Sequence, residues 1–147
     1  MNRRDLFKIS VVGGAAVAAH AQQPHRFFTP EEFKAVDMLT EMIIPADEKS
    51  GGARAAQVAA YIDQRLAEAF EQSERDLWRA GLKPFLTSPD FPGLLQKLCD
   101  SNDEFFVALK HDTIRGYYSS RVGIQDQDYK GNTYQQGDYA GELPHNP

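Results

Sequence analysis

The segment Phe27-Phe28-Thr29-Pro30-Glu31-Glu32-Phe33 constrains this chain more than any other, because it specifies where a helix must begin. Thr29 supplies a hydroxyl at the N-cap, and Pro30 takes the first helical position, where a missing N–H is harmless. Glu32 follows the cap by three residues, the spacing of a capping box, and Phe28 and Phe33 stand at the positions of a hydrophobic staple. Phe33, Val36, Leu39, Met42 and Ile43 then recur at helical spacing, and Pro45 disfavours helical geometry at Ile44 and ends the run. An apolar stripe of this kind must be buried against other elements.

Those elements also read as helices. "ARAAQVAAYIDQRLAEAF" places Val58, Ile62, Leu66 and Phe70 on one face and Gln57, Gln64, Glu68 and Glu71 toward solvent. Ser73 with Asp76 marks a further start, carrying Leu77, Trp78, Leu82 and Phe85 until "TSPDFPG" interrupts. A short helix around "GLLQKLC" precedes a longer one, "NDEFFVALKHDTIRGYYSS", with Ser101 and Glu104 at capping-box spacing. The apolar positions of that last helix (Phe105, Phe106, Val107, Leu109, Ile114, Tyr117, Tyr118) cover more than half its circumference. Such a helix is either central to its own domain or covered by another chain. No run of strands appears, so the expected fold class is all-α, one bundle of about four or five helices. From about residue 121 the periodicity vanishes. The remaining arm is rich in Gly, Gln, Asp and Asn, and reads either as disordered or as anchored to a partner through Tyr129, Tyr134 and Tyr139.

The first 21 residues read as an export signal. Arg3, Arg4 and Lys8 form a positive n-region, Ile9 to Ala19 a weakly apolar stretch, and Ala19-His20-Ala21 an A-x-A cleavage site. Eleven residues span only about 16 Å as a helix, against roughly 30 Å of hydrocarbon, so a permanent anchor is not expected. Asn2 to Lys8 resembles the twin-arginine pattern S-R-R-x-F-L-K, departing at Asn2 and with Leu6 and Phe7 exchanged in order; an ordinary secretory signal is the alternative. Cleavage would remove three basic and one acidic residue from totals of 16 and 21, leaving 126 residues with 13 basic against 20 acidic. One compact domain of residues 22–147 fits that length. An acidic surface argues against nucleic acid or anionic lipid as partner.

Convergent chemistry is sparse. His25, His111 and His145 stand singly, with no spacing that sets two imidazoles on one helix face for a metal. One cysteine, Cys99, cannot hold an iron–sulfur cluster or close an internal disulfide, and in its apolar helix it reads as a buried structural thiol. "DQDYKGN" starts like a calcium loop, but its twelfth position is Gly137 and Lys130 replaces an acidic ligand. Asp47 and Glu48 read as solvated loop carboxylates. No catalytic, cofactor-binding or metal-binding residue is therefore assigned. Twin-arginine export carries folded proteins, commonly those loaded with a cofactor, so a chain without a cofactor site points to a folded partner that carries one.

The run "FTPEEFKAVDMLTEMIIPADEKSGGARAAQVAAYIDQRLA", together with "GYYSSRVG" and "YKGNTYQQGDYAG", resembles the gluconate 2-dehydrogenase subunit 3 family from about Phe27 to Gly141. Its most specific parts are Ile43 to Asp47 with Gly51, Ala53, Val58, Ile62 and Asp63, and then Gly116 to Ser120 with Gly123 and Tyr129 to Asn132. In many relatives the final motif ends in Gly-Cys; here it reads Gly141-Glu142. The resemblance implies a non-catalytic small subunit that assists folding, twin-arginine export and stability of a large flavoprotein of the glucose-methanol-choline type. FAD is then expected in that large subunit and not in this chain, and the complex is expected to be periplasmic. A multihaem cytochrome c is a further expected partner, with the twin-arginine translocase, recognising Arg3, Arg4, Phe7 and Lys8, and with Ala19 and Ala21 at the cleavage site. On the same basis Pro45, Asp47, Gly116 and Gly131 shape turns and packing, and Tyr117, Tyr118, Tyr129, Tyr134 and Tyr139 are candidate partner contacts. The alternative is a free-standing periplasmic module holding a small apolar or quinone-like ligand among Trp78, Phe85 and Met42.

Overall fold

The computed structural model describes residues 25–128, and the expectations placed on the export signal, Gly131 and Tyr129, Tyr134 and Tyr139 lie outside them. Among the described residues there are seven helices and no strand, in agreement with the all-α expectation. They are α1 Pro30–Ile43, α2 Gly52–Ala55, α3 Val58–Glu68, α4 Gln72–Thr87, α5 Phe91–Asp100, α6 Glu104–Tyr118 and α7 Arg121–Asp126.

The first helix begins as its sequence dictates. Thr29 accepts from the Glu32 N–H at 3.2 Å, and Glu32 Oε2 accepts from the Thr29 N–H at 2.9 Å. Its staple is rearranged: Phe28 turns to Trp78, with ring centroids 5.9 Å apart, while Phe33 stacks on His25 at 4.0 Å. Val36 and Leu39 are buried, and Met42 lies on the exposed side of the stripe.

The second predicted helix is two. Gln57 adopts a left-handed φ of 55°, the Ala56 and Gln57 N–H groups close back on Gly52 and Arg54, and α3 restarts at Val58. It stops at Glu68 because Ala69 turns extended, so Val58, Ile62 and Leu66 are buried while Phe70 leaves their face for solvent. Two other starts move as well. Helix α4 begins at Gln72 behind Glu71, with no side-chain cap, and α6 is capped by Asp103, which accepts from the Phe105 N–H at 2.9 Å. Residues Arg121–Asp126, expected to be irregular, form α7 because the Ser120 hydroxyl caps the Gly123 N–H at 3.1 Å.

Helix α6 packs against all six others, so its wide apolar surface belongs to a central helix. Phe105, Leu109 and Tyr117 are buried along it, whereas Val107, Ile114 and Tyr118 reach solvent. Gly81 in α4 makes room for a ring of α6, since a Cβ there would sit 2.1 Å from Phe105 Cγ. Phe105 in turn meets Trp78 edge-on at 5.3 Å, and Phe85 meets Phe91 edge-on at 5.2 Å, the T-shaped geometry favoured by aromatic quadrupoles. No helix among the described residues is long and apolar enough to cross a membrane.

Candidate functional site

The most elaborated local structure is the turn between α1 and α2. Pro45 stops α1, leaving the Ile44 carbonyl to accept from the Ala53 N–H at 2.9 Å. Asp47 Oδ1 accepts from the N–H groups of Lys49 and Ser50, both at 2.8 Å, and the Asp47 N–H donates to the Ser50 carbonyl. These backbone donors hold the Asp47 carboxyl below its ordinary value. Glu41 straddles the turn, accepting from the Ala46 N–H at 3.1 Å and the Arg54 N–H at 2.8 Å. Gly52 carries a φ of +71°, and a Cβ there would lie 2.5 Å from Ala46 N and 2.8 Å from Pro45 C. Only glycine meets both demands.

This turn docks on the end of α6. The Ser50 and Tyr117 hydroxyls are hydrogen-bonded, and Tyr117 donates to Asp126 Oδ2 of α7 at 3.1 Å. Burial, with Asp126 nearby, raises the pKa of Tyr117 above that of a free phenol. Tyr117 is thus a core residue that ties turn, α6 and α7 together, and it has no surface to offer a partner; its neighbour Tyr118 is 43% exposed. Gly116 lies inside α6 and not at a turn. It admits the Tyr61 ring, whose Cδ1 would be 2.7 Å from an added Cβ.

Three ion and hydrogen-bond clusters were not legible in the sequence. The Asp63 carboxylate gathers the N–H groups of Arg26, Phe27 and Phe28 at 2.7, 3.0 and 2.8 Å, pinning the leader to α3. Arg79 of α4 donates to both carboxylate oxygens of Glu32 at 3.2 Å and to the Phe27 carbonyl at 3.0 Å. Arg65 of α3 bridges Glu74 of α4, at 2.7 Å, and the buried Asp112 of α6. The two carboxylates outweigh the desolvation of Arg65, so its pKa is raised. The first ties the leader to a helix, and the other two join separate helices.

The ligand-pocket expectation is corrected. Trp78 and Phe85 are packed in the core. Met42 instead lines an open cleft of about 390 Å³ with Ile43, Pro92, Leu95, Phe106 and Lys110. Cys99 borders that cleft and is exposed, because α5 turns only Phe91 fully inward. Among the described residues no three His, Cys, Asp or Glu side chains converge as a metal site.

A family model described as Gluconate 2-dehydrogenase subunit 3 matches residues 30–88, from the first residue of α1 to the residue after α4. The stretches Gly116–Gly123 and Tyr129–Asn132 lie beyond the matched residues. No curated protein and no solved structure matches the chain. Over its capped first helix, its glycine-dependent turn and the three helices that follow, the chain is similar to the gluconate 2-dehydrogenase subunit 3 family, in a match that covers less than half of its length.

Proposed function

We propose that this chain is a non-catalytic small subunit of a periplasmic, FAD-dependent dehydrogenase of the glucose-methanol-choline type. It assists folding of the flavin-bearing large subunit, accompanies it through the twin-arginine translocase, and stays bound afterwards. The match to a family described as a subunit carries this reading. Arg3 and Arg4 support the export route, since a folded passenger needs a signal of that kind. The clusters of Arg65 and Arg79 fit a scaffold, because they pair charged groups between separate helices.

Deletion of the chain is the experiment that tests the proposal. The large subunit is then expected to accumulate in the cytoplasm with little dehydrogenase activity in the periplasm. Complementation by the full chain restores both, and complementation by an Arg3→Lys, Arg4→Lys variant does not. Normal export and activity of the flavoprotein in the deletion strain would defeat the proposal.

A further inference from the structure

Phe70 stands apart from every other apolar side chain described. It is 97% exposed, whereas Val107, the next most exposed large apolar residue, is at 48%. The chain just before it is nevertheless tied down. Arg75 reaches back from α4 and donates from Nε to the Leu66 carbonyl at 3.1 Å. Its Nη2 donates to the Ala67 and Ala69 carbonyls at 3.0 and 2.6 Å. The Ala67 and Ala69 carbonyls would otherwise be left open at the end of α3, where the Leu66 carbonyl also accepts from the Ala69 N–H at 3.3 Å. An aromatic ring presented from a fixed corner needs little further ordering on association, which is the property of a good anchor.

The charges around the ring are arranged unevenly. Glu71 is exposed beside it, and Glu68 is also exposed, 3.5 Å from Arg26. Arg65 and Arg75 are turned inward, toward Glu74 and Asp112 and toward the helix-end carbonyls. The corner therefore shows an apolar ring with a largely acidic margin, and it falls within residues 30–88, the family segment. Resting on the function proposed above, we infer that Phe70 anchors this subunit to its flavoprotein by entering an apolar socket rimmed with Lys or Arg.

The test uses full-length chain and a flavoprotein of the glucose-methanol-choline type from the same organism, with binding measured by titration. Phe70→Ser is expected to weaken binding by about thirtyfold, the effect of losing a strong anchor. Its thermal midpoint should stay unchanged, because the ring lies almost wholly in solvent. Phe70→Leu should keep most of the affinity, and Leu86→Ser, on the exposed far part of α4, should bind like the parent chain. Glu71→Lys should weaken binding and flatten its dependence on salt. If the parent chain binds and Phe70→Ser binds equally tightly, the anchor is overturned and the proposed function stands. If the parent chain does not bind the flavoprotein, the proposed function falls and the anchor with it.

Discussion

At the scale of single residues, the turn between α1 and α2 shows how much local structure rests on two side-chain choices. Gly52 combines a left-handed φ with backbone atoms closer than any Cβ tolerates. Gly52→Ala should therefore cost about 2–4 kcal/mol, more than left-handed strain alone, as measured by urea denaturation. Asp47 acts through its charge. Because its folded carboxyl is held below the ordinary value of 3.8, its contribution is fully present above that pH. It is lost as pH falls through the lowered folded value. Asp47→Asn should accordingly lower stability in the neutral region and flatten the acid limb, the variant and the parent chain converging as pH falls. An unaltered acid limb would show that the Lys49 and Ser50 N–H groups do not favour the charged form.

At the scale of helices, local signals proved legible where they were self-contained. Thr29, Pro30, Glu32 and Pro45 define α1 because caps and proline act within a few residues. The apolar stripes of α3, α4 and α6 predicted Val58, Ile62, Leu66, Trp78, Leu82, Phe105 and Leu109 as core for the same reason. Signals that depend on tertiary partners were not readable. The break at Gln57 lies in a run of good helix formers, and the exposure of Phe70 follows from a stop that Arg75 secures from the next helix. The same limit hid the Arg65, Glu74 and Asp112 cluster, whose members are far apart in sequence and meet only once α3, α4 and α6 are packed. Asp112→Ala removes the buried partner of a half-buried guanidinium and should destabilise the chain by about 3 kcal/mol. Asp112→Asn, which keeps one hydrogen bond, should cost less. Denaturant midpoints for the two variants check that order.

At the scale of the whole molecule, Trp78 offers a built-in probe. It is the sole tryptophan, fully buried between Phe28 of the leader and Phe105 of the central helix. Because α6 touches every other helix, the core should unfold as one unit. Trp78 fluorescence and far-ultraviolet circular dichroism should therefore trace coincident denaturation curves, and separated curves would show that the helices do not share one core. The described surface, by contrast, carries apolar groups that the core does not absorb: Phe70 at one corner, and Met42, Val107, Ile114 and Tyr118 along α1 and α6. In the proposed role of a subunit, such groups are left for the partner. The most direct measurement is the mass and flavin content of the species recovered when this chain and a flavoprotein of the proposed glucose-methanol-choline type are co-expressed and purified from the periplasm. The predicted result is a single heteromer containing both chains and FAD; this chain recovered as a flavin-free monomer, with the flavoprotein exported separately, would contradict it.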